Sequence, residues 1–221
     1  MEISPIAYFR SSVGGKFGLP RQAGLASSLR GEVVLESGFA SPEALRGLEG
    51  FDYIWLIWGF SLNRSDSSGH LTVRPPRLGG NTRVGVFASR SPYRPNPLGL
   101  SSVRIESIDF DKGIISVLGA DLADGTPIFD IKPYIEYADS HPSVRSGFTD
   151  GSEWRRLEVE LPDTLAGQLS HGQLEALREL LAEDPRPRYQ DDPERVYGLK
   201  FEGCDVRFKV SGNILTVVEI V

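Results

Sequence analysis

A chain of 221 residues with 40% hydrophobic and 24% charged side chains has the apolar content to build a core, which argues against global disorder. Its formal net charge is −6 at pH 7, it carries a single cysteine (Cys204), and its apolar runs fall short of the roughly 18 residues that cross a bilayer. An internal disulfide framework is therefore excluded. With neither a basic leader nor an apolar signal core in MEISPIAYFR, a cytoplasmic protein is expected.

In chain order, ISPIAYFRS, GEVVLESGF, YIWLIWGFS, RVGVFASR, LSSVRIESIDF, GIISVLGAD and PIFDIKPYI are short, rich in Val, Ile and aromatics, and bounded by Gly, Pro or Asp, so each predicts a strand. Ser41-Pro42 predicts a short helix with a capping hydroxyl and proline in its first turn, and DFDKG at Asp109–Gly113 a hairpin turn. Closely spaced strands with little helix between them argue against a doubly wound sheet and for a barrel or sandwich. Residues 1–145 are thus read as a closed or nearly closed β domain.

Residues 146–221 are read as a small α+β domain. After the polar connector SHPSVRSGFTDGSEW, LEVEL predicts a strand. Ser170 predicts the cap of a helix whose Leu174, Leu177, Leu180 and Leu181 share a core face. After DPRPRYQDDPER come three antiparallel strands, VYGLKFE, CDVRFKV and NILTVVEIV.

Charge is unevenly placed. From Ser67 to Ile105 there are six arginines and no acidic residue, leaving about −12 on the remainder by difference from the net −6. Such a chain can present one basic face to a polyanion. Scattered solvated arginines are the plain alternative, but the choice of Arg over Lys suits phosphates and carboxylates. Common catalytic signatures are missing: GGKFG lacks the Ser or Thr of a phosphate loop, and there is neither a GxGxxG nor a GxSxG. His70, His141 and His171 lack metal spacing, so no metal is expected.

Three segments exceed what turn chemistry requires. FGLPRQAG sets Pro20, Arg21 and Gln22 between glycines. SRSPYRPNPLG stiffens Arg90, Tyr93, Arg94 and Asn96 with three prolines. DLADGTPIFDIKPYIEY places a tight turn ahead of Asp130, Lys132 and Tyr134. Together with FDYIWLIWGF and DPRPRYQ these segments resemble, in order and over nearly the whole chain, the TrmO family of S-adenosylmethionine-dependent tRNA methyltransferases.

The resemblance implies a single-sheet β-barrel that binds S-adenosylmethionine without a Rossmann domain, typically as a homodimer with the cofactor near the subunit interface. It also implies methylation of N6 of threonylcarbamoyladenosine, next to the anticodon of threonine tRNAs. The implied cofactor contacts are Pro20, Arg21, Gln22, Arg90, Leu100, and the turn Ala123, Asp124, Gly125 and Thr126. Ala123 stands where the family usually has Leu, and Ser61 and Leu62 stand where many members have a histidine and a polar residue.

Within that frame, Arg21 or Arg90 pairs with the cofactor carboxylate and Asp124 accepts from its ribose or ammonium. Tyr93, Arg94 and Asn96 face RNA, with Tyr93 stacking on an unstacked loop base. Arg74, Arg77, Arg83 and Arg104 hold phosphates. Asp130 or Tyr134 is the candidate catalytic base, and Arg186, Arg188 and Tyr189 are candidates for tRNA docking or, equally, for an interdomain or dimer contact. Two other functions fit the same residues: a methyltransferase of this fold with another acceptor, and a non-catalytic tRNA-binding barrel.

Overall fold

The computed structural model describes residues 2–15, 17–62, 71–75, 78, 82–151, 155–186 and 192–221. Arg77, Arg188, Tyr189 and His70 lie outside the described residues.

The first domain is a closed barrel of strands β1 (Ala7–Ser11), β2 (Arg30–Leu35), β3 (Tyr53–Gly59), β6 (Leu98–Asp109), β7 (Ile114–Leu118) and β8 (Pro127–Pro133). The order is β1-β2-β7-β6-β3-β8, every pairing antiparallel, and the ring closes where Ala7 and Tyr8 face Ile128 and Pro127. Closure removes the free edges that an open sheet would expose. Alternation sets the core: Ala7 and Phe9, Val33 and Leu35, Ile54 and Leu56, Ile115 and Val117 point inward and are buried. Ser41 accepts from the Ala44 amide to start α1 (Pro42–Leu45), and Asp109 accepts from the Lys112 amide in the β6–β7 turn. One predicted strand is mostly absent. In RVGVFASR only Val84–Gly85 forms a strand (β5), paired with β4 (Thr72–Val73), and Val86–Ala88 then turns as a 3₁₀ helix with Val86 buried and Phe87 exposed.

After α2 (Glu136–Asp139), the second domain is a sheet of β9 (Glu158–Glu160), β10 (Tyr197–Phe201), β11 (Cys204–Ser211) and β12 (Ile214–Ile220) in the order β10-β11-β12-β9. β10, β11 and β12 are antiparallel, and β9 joins as a parallel edge strand. Between α3 (Asp163–Ala166) and β10 lies α4 (His171–Ala182), whose Ser170–Gln173 capping box satisfies amides of its first turn and whose Leu177, Leu180 and Leu181 are fully buried.

The segment between β1 and β2 crosses into the second domain. Val13, Ala26 and Leu29 are buried in the core that contains α4 and the second sheet, and Leu19 packs against it. Val13 bridges to Phe201, and the Gly14 amide donates to the Lys200 carbonyl at 3.1 Å. Gly18 has φ of +90°, and a Cβ there would lie 2.0 Å from Leu199, so only glycine lets the loop pass this close.

Candidate functional site

The strand ends, the 17–29 segment and the proline-rich loop converge on a cleft of about 830 Å3, within the roughly 300–1,000 Å3 range of small-molecule sites. Pro20, Arg21 and Gln22 form one wall. Arg90, Pro92, Arg94 and Asn96 form the facing wall, and Phe60, Ser61 and Leu62 extend from the end of β3. Trp55, Trp58, Leu98, Gly99, Leu100, Asp121 and Ala123 complete the lining from β3, β6 and the β7–β8 connection.

The walls touch: an Arg90 Nη1 donates to the Gln22 side-chain oxygen. Arg21 donates to the Asp184 carbonyl at 3.3 Å, which ties this wall to the second domain. The facing wall is braced locally. Ser89 Oγ donates to the Val86 carbonyl at 2.8 Å, Arg94 Nη1 donates to the Ser89 carbonyl at 2.9 Å, and the Ser91 and Tyr93 amides donate to Ser89 Oγ and Ser91 Oγ. Three prolines fix φ in this stretch, so its cationic groups are preorganised.

Other candidates sit elsewhere. Asp124 and Gly125 are exposed beside the cleft rather than lining it; Asp124 accepts from the Ser11 amide at 3.0 Å, and the Gly125 amide donates to Phe9. Thr126 is buried and its carbonyl accepts from Phe9, so it anchors the turn to β1. Tyr93 is half exposed on the crest between two lining residues.

Asp130 and Tyr134, the candidate bases, do not line the cleft. Asp130 accepts from its neighbour Ile131's amide and pairs with Lys132 at 3.0 Å. Tyr134 packs with ring centroids 6.2 Å from Tyr53 and 5.7 Å from Trp55, backing a lining residue. Arg186 is nearly buried and chelates both oxygens of Asp184, at 2.8 and 3.0 Å, which organises the turn after α4.

Sequence reasoning missed the floor of the cleft. Trp58 Nε1 donates to Ser101 Oγ at 2.9 Å, and Ser101 Oγ donates to Asp121 Oδ1 at 2.6 Å. With Ser101 Oγ accepting from the indole, its own proton is available to Asp121. Burial pushes the Asp121 carboxyl above the usual carboxylate range, opposed by the Ser101 bond, its own amide, the Arg90 charge and the Ala23 amide. Trp58 owes its position to Gly99, opposite it in register, where a Cβ would lie 2.3 Å from the indole. The register shift between Ile57 and Trp58 lies next to the cleft, a common place for bulges. The only sequence signal was that Asp121 opens the unusual DLADGT stretch.

Arg74, Arg83 and Arg104 are exposed, and like Arg90 and Arg94 none of them is ion-paired among the described residues. Arg10, Arg30, Arg156 and Arg207 are each paired with a carboxylate.

The profile of the tRNA-methyltransferase O N-terminal domain matches residues 8–140, and that of the TrmO C-terminal domain matches residues 155–221. A Pseudomonas aeruginosa protein provisionally named S-adenosylmethionine-dependent methyltransferase RcsF is 41% identical over 213 residues, covering 93% of this chain and 91% of the relative. The tRNA (adenine(37)-N6)-methyltransferase of Escherichia coli is 38% identical over 220 residues, covering 95% and 93%. The crystal structure of TrmO from Pseudomonas aeruginosa superposes with a TM-score of 0.80 at 33% identity, covering 100% of this chain and 98% of that one. With both domain profiles matched and full-length relatives at this identity, the chain belongs to the TrmO family.

Proposed function

We propose that this protein is an S-adenosylmethionine-dependent methyltransferase that methylates N6 of adenine 37 in tRNA, and that its acceptor is the threonylcarbamoyladenosine of threonine tRNAs. The observation that carries the reading is the cleft itself, where Pro20–Gln22, Arg90 and Leu100 come together from distant parts of a TrmO-family chain. Its residues suit the cofactor: guanidinium groups for a carboxylate, the apolar surfaces of Leu19, Leu98 and Leu100 for an adenosine, and a recessed carboxylate for a cation.

When bound, S-adenosylmethionine supplies an electrophilic methyl group on a sulfonium. Arg90 is the better carboxylate partner, since Gln22 occupies only one of its five donors. The two walls would hold the cofactor and the acceptor base close together, which favours transfer by making the encounter effectively unimolecular. Tyr93 offers a ring for an unstacked base, and Arg94 is held with its guanidinium at the rim. Asp130, paired with Lys132, and Tyr134, packed against Tyr53 and Trp55, stand outside the cleft lining, which supports release of the N6 proton to solvent. Phe87 and Leu100 leave apolar surface exposed beside the cleft, which supports a homodimer that covers it. The second domain supports the cleft mainly through the 17–29 segment.

The test is methyl transfer from labelled S-adenosylmethionine to purified threonine tRNA with and without its threonylcarbamoyl group, followed by nucleoside mass spectrometry. One methyl gained on the modified nucleoside and none on the unmodified tRNA is expected. Cofactor binding without transfer would point to another acceptor, and tRNA binding without cofactor binding would leave a non-catalytic barrel.

A further inference from the structure

The floor of the cleft carries a feature that carboxylate and RNA binding do not use. Asp121 lines it beside Trp55, Trp58 and Phe60, with the Trp58 and Phe60 rings edge to face at a centroid distance of 4.4 Å. Ser101, itself 2% exposed, is locked between the indole and the carboxylate. The Ser101–Asp121 hydrogen bond is short, at 2.6 Å. Among the described residues no cation lies within ion-pairing distance of Asp121, although three arginines line the same cleft. A recessed carboxylate in a cleft that aromatic rings also line suits a desolvated onium group.

Resting on the reading of the cleft as a donor site, we propose that Asp121 recognises the sulfonium of the methyl donor and makes the site prefer the cationic donor to its neutral thioether product. On transfer the S–CH3 bond breaks with its electron pair kept by sulfur, the N–CH3 bond forms, and the N6 proton goes to solvent. The cation facing Asp121 thus disappears when the reaction is complete. Trp58 and Ser101 are positioning residues that hold the carboxylate at the floor.

The burial that raises the Asp121 carboxyl disfavours its ionised form, and a bound cation offsets that cost. The other charged lining groups are Arg21, Arg90 and Arg94. Donor and product share the same amino acid carboxylate and ammonium, so the ratio of their affinities isolates the sulfonium.

The experiment is calorimetric titration of the full chain with S-adenosylmethionine and, separately, S-adenosylhomocysteine, for the wild type and Asp121→Asn. The expected result is a loss of about tenfold or more in donor affinity in the variant, with product affinity changed less than about threefold. An unchanged donor affinity, or an equal loss for both ligands, overturns the proposal. Should the variant not fold, Ser101→Ala, which removes the hydroxyl that holds the carboxylate, is titrated with both ligands in its place. A selective loss of donor affinity supports Asp121 as the cation partner, and an unchanged donor affinity or an equal loss for both ligands overturns it. Binding of neither ligand by the wild type would overturn the donor-site reading as well, which separates the two failures.

Discussion

The loop at 17–29 and the loop at 86–97 face each other across the cleft but are held by different parts of the molecule. The first takes its shape from a distance. Glu179 on α4 accepts from Ser27 Oγ at 2.9 Å and from the Ser28 amide at 2.7 Å, and Arg156 donates to the Leu25 carbonyl at 3.1 Å. Ala26 and Leu29 are buried in the second domain's core. The second loop is tied at its ends by the Val86 amide to the Leu71 carbonyl and the Phe60 amide to the Pro97 carbonyl, but between them its serines and Arg94 brace it with bonds that close within five residues. The 17–29 wall of the cleft is therefore set mainly by tertiary packing and the 86–97 wall mainly by local turn chemistry, so each can be perturbed separately apart from the Arg90–Gln22 link.

Arg90→Ala is expected to have the largest effect, because Arg90 reaches across to Gln22 and would break both the link between walls and the carboxylate contact. Loss of a charge-assisted bond worth about 1.5–3 kcal/mol predicts roughly 10- to 100-fold weaker donor binding, read by calorimetry. Glu179→Ala comes next. It touches no cleft residue, yet it leaves the Ser28 amide without its partner, and about 1–2 kcal/mol of loop stability predicts donor affinity down about tenfold with tRNA affinity unchanged.

Ser91→Ala sharpens the contrast from the other side. It removes the acceptor of the Tyr93 amide, worth about 1 kcal/mol, and should weaken tRNA binding several-fold in a filter assay while donor affinity holds. A variant in which both affinities fell together would break the comparison. Replacing Arg74, Arg83 and Arg104 by Gln should flatten the dependence of log tRNA affinity on log salt by roughly 0.7–0.9 per arginine that meets a phosphate, again with donor affinity constant.

The smallest effect concerns Asp139, whose carboxyl is held below the usual range by the Ile135 amide at 2.8 Å and the Trp55 indole at 3.0 Å. Since its folded pKa is depressed, its contribution is complete above the ordinary value of about 3.9 and is lost as pH falls through the lower folded value. Wild-type tryptophan fluorescence should show an acid transition there that Asp139→Asn lacks, with activity near neutral pH unaffected.

Much of this was legible in the sequence wherever the signal is local. Period-two alternation marked Ile54 and Leu56 as inward, and Ser41-Pro42 and Ser170 marked helix starts whose caps form as expected. Proline spacing singled out Arg90, Arg94 and Asn96, which do line the cleft. What escaped depends on partners far away in sequence. Ser28 meets Glu179 across 151 positions, and Asp121 becomes a floor residue only because Ser101 and Trp58 stand on neighbouring strands. Arg186 stood out in composition, whereas its pairing with Asp184 two residues earlier is visible only in the structure. The strand expected in RVGVFASR stops early because the chain turns at Val86 to start the wall.

The most direct test of the account is a crystal structure of the full chain grown with S-adenosylhomocysteine. The account predicts the ligand between the 17–29 and 86–97 loops, with its carboxylate on Arg90 and its sulfur above Asp121. Ligand seated elsewhere, such as in the smaller crevice between Phe17, Leu180 and Pro185, would contradict it.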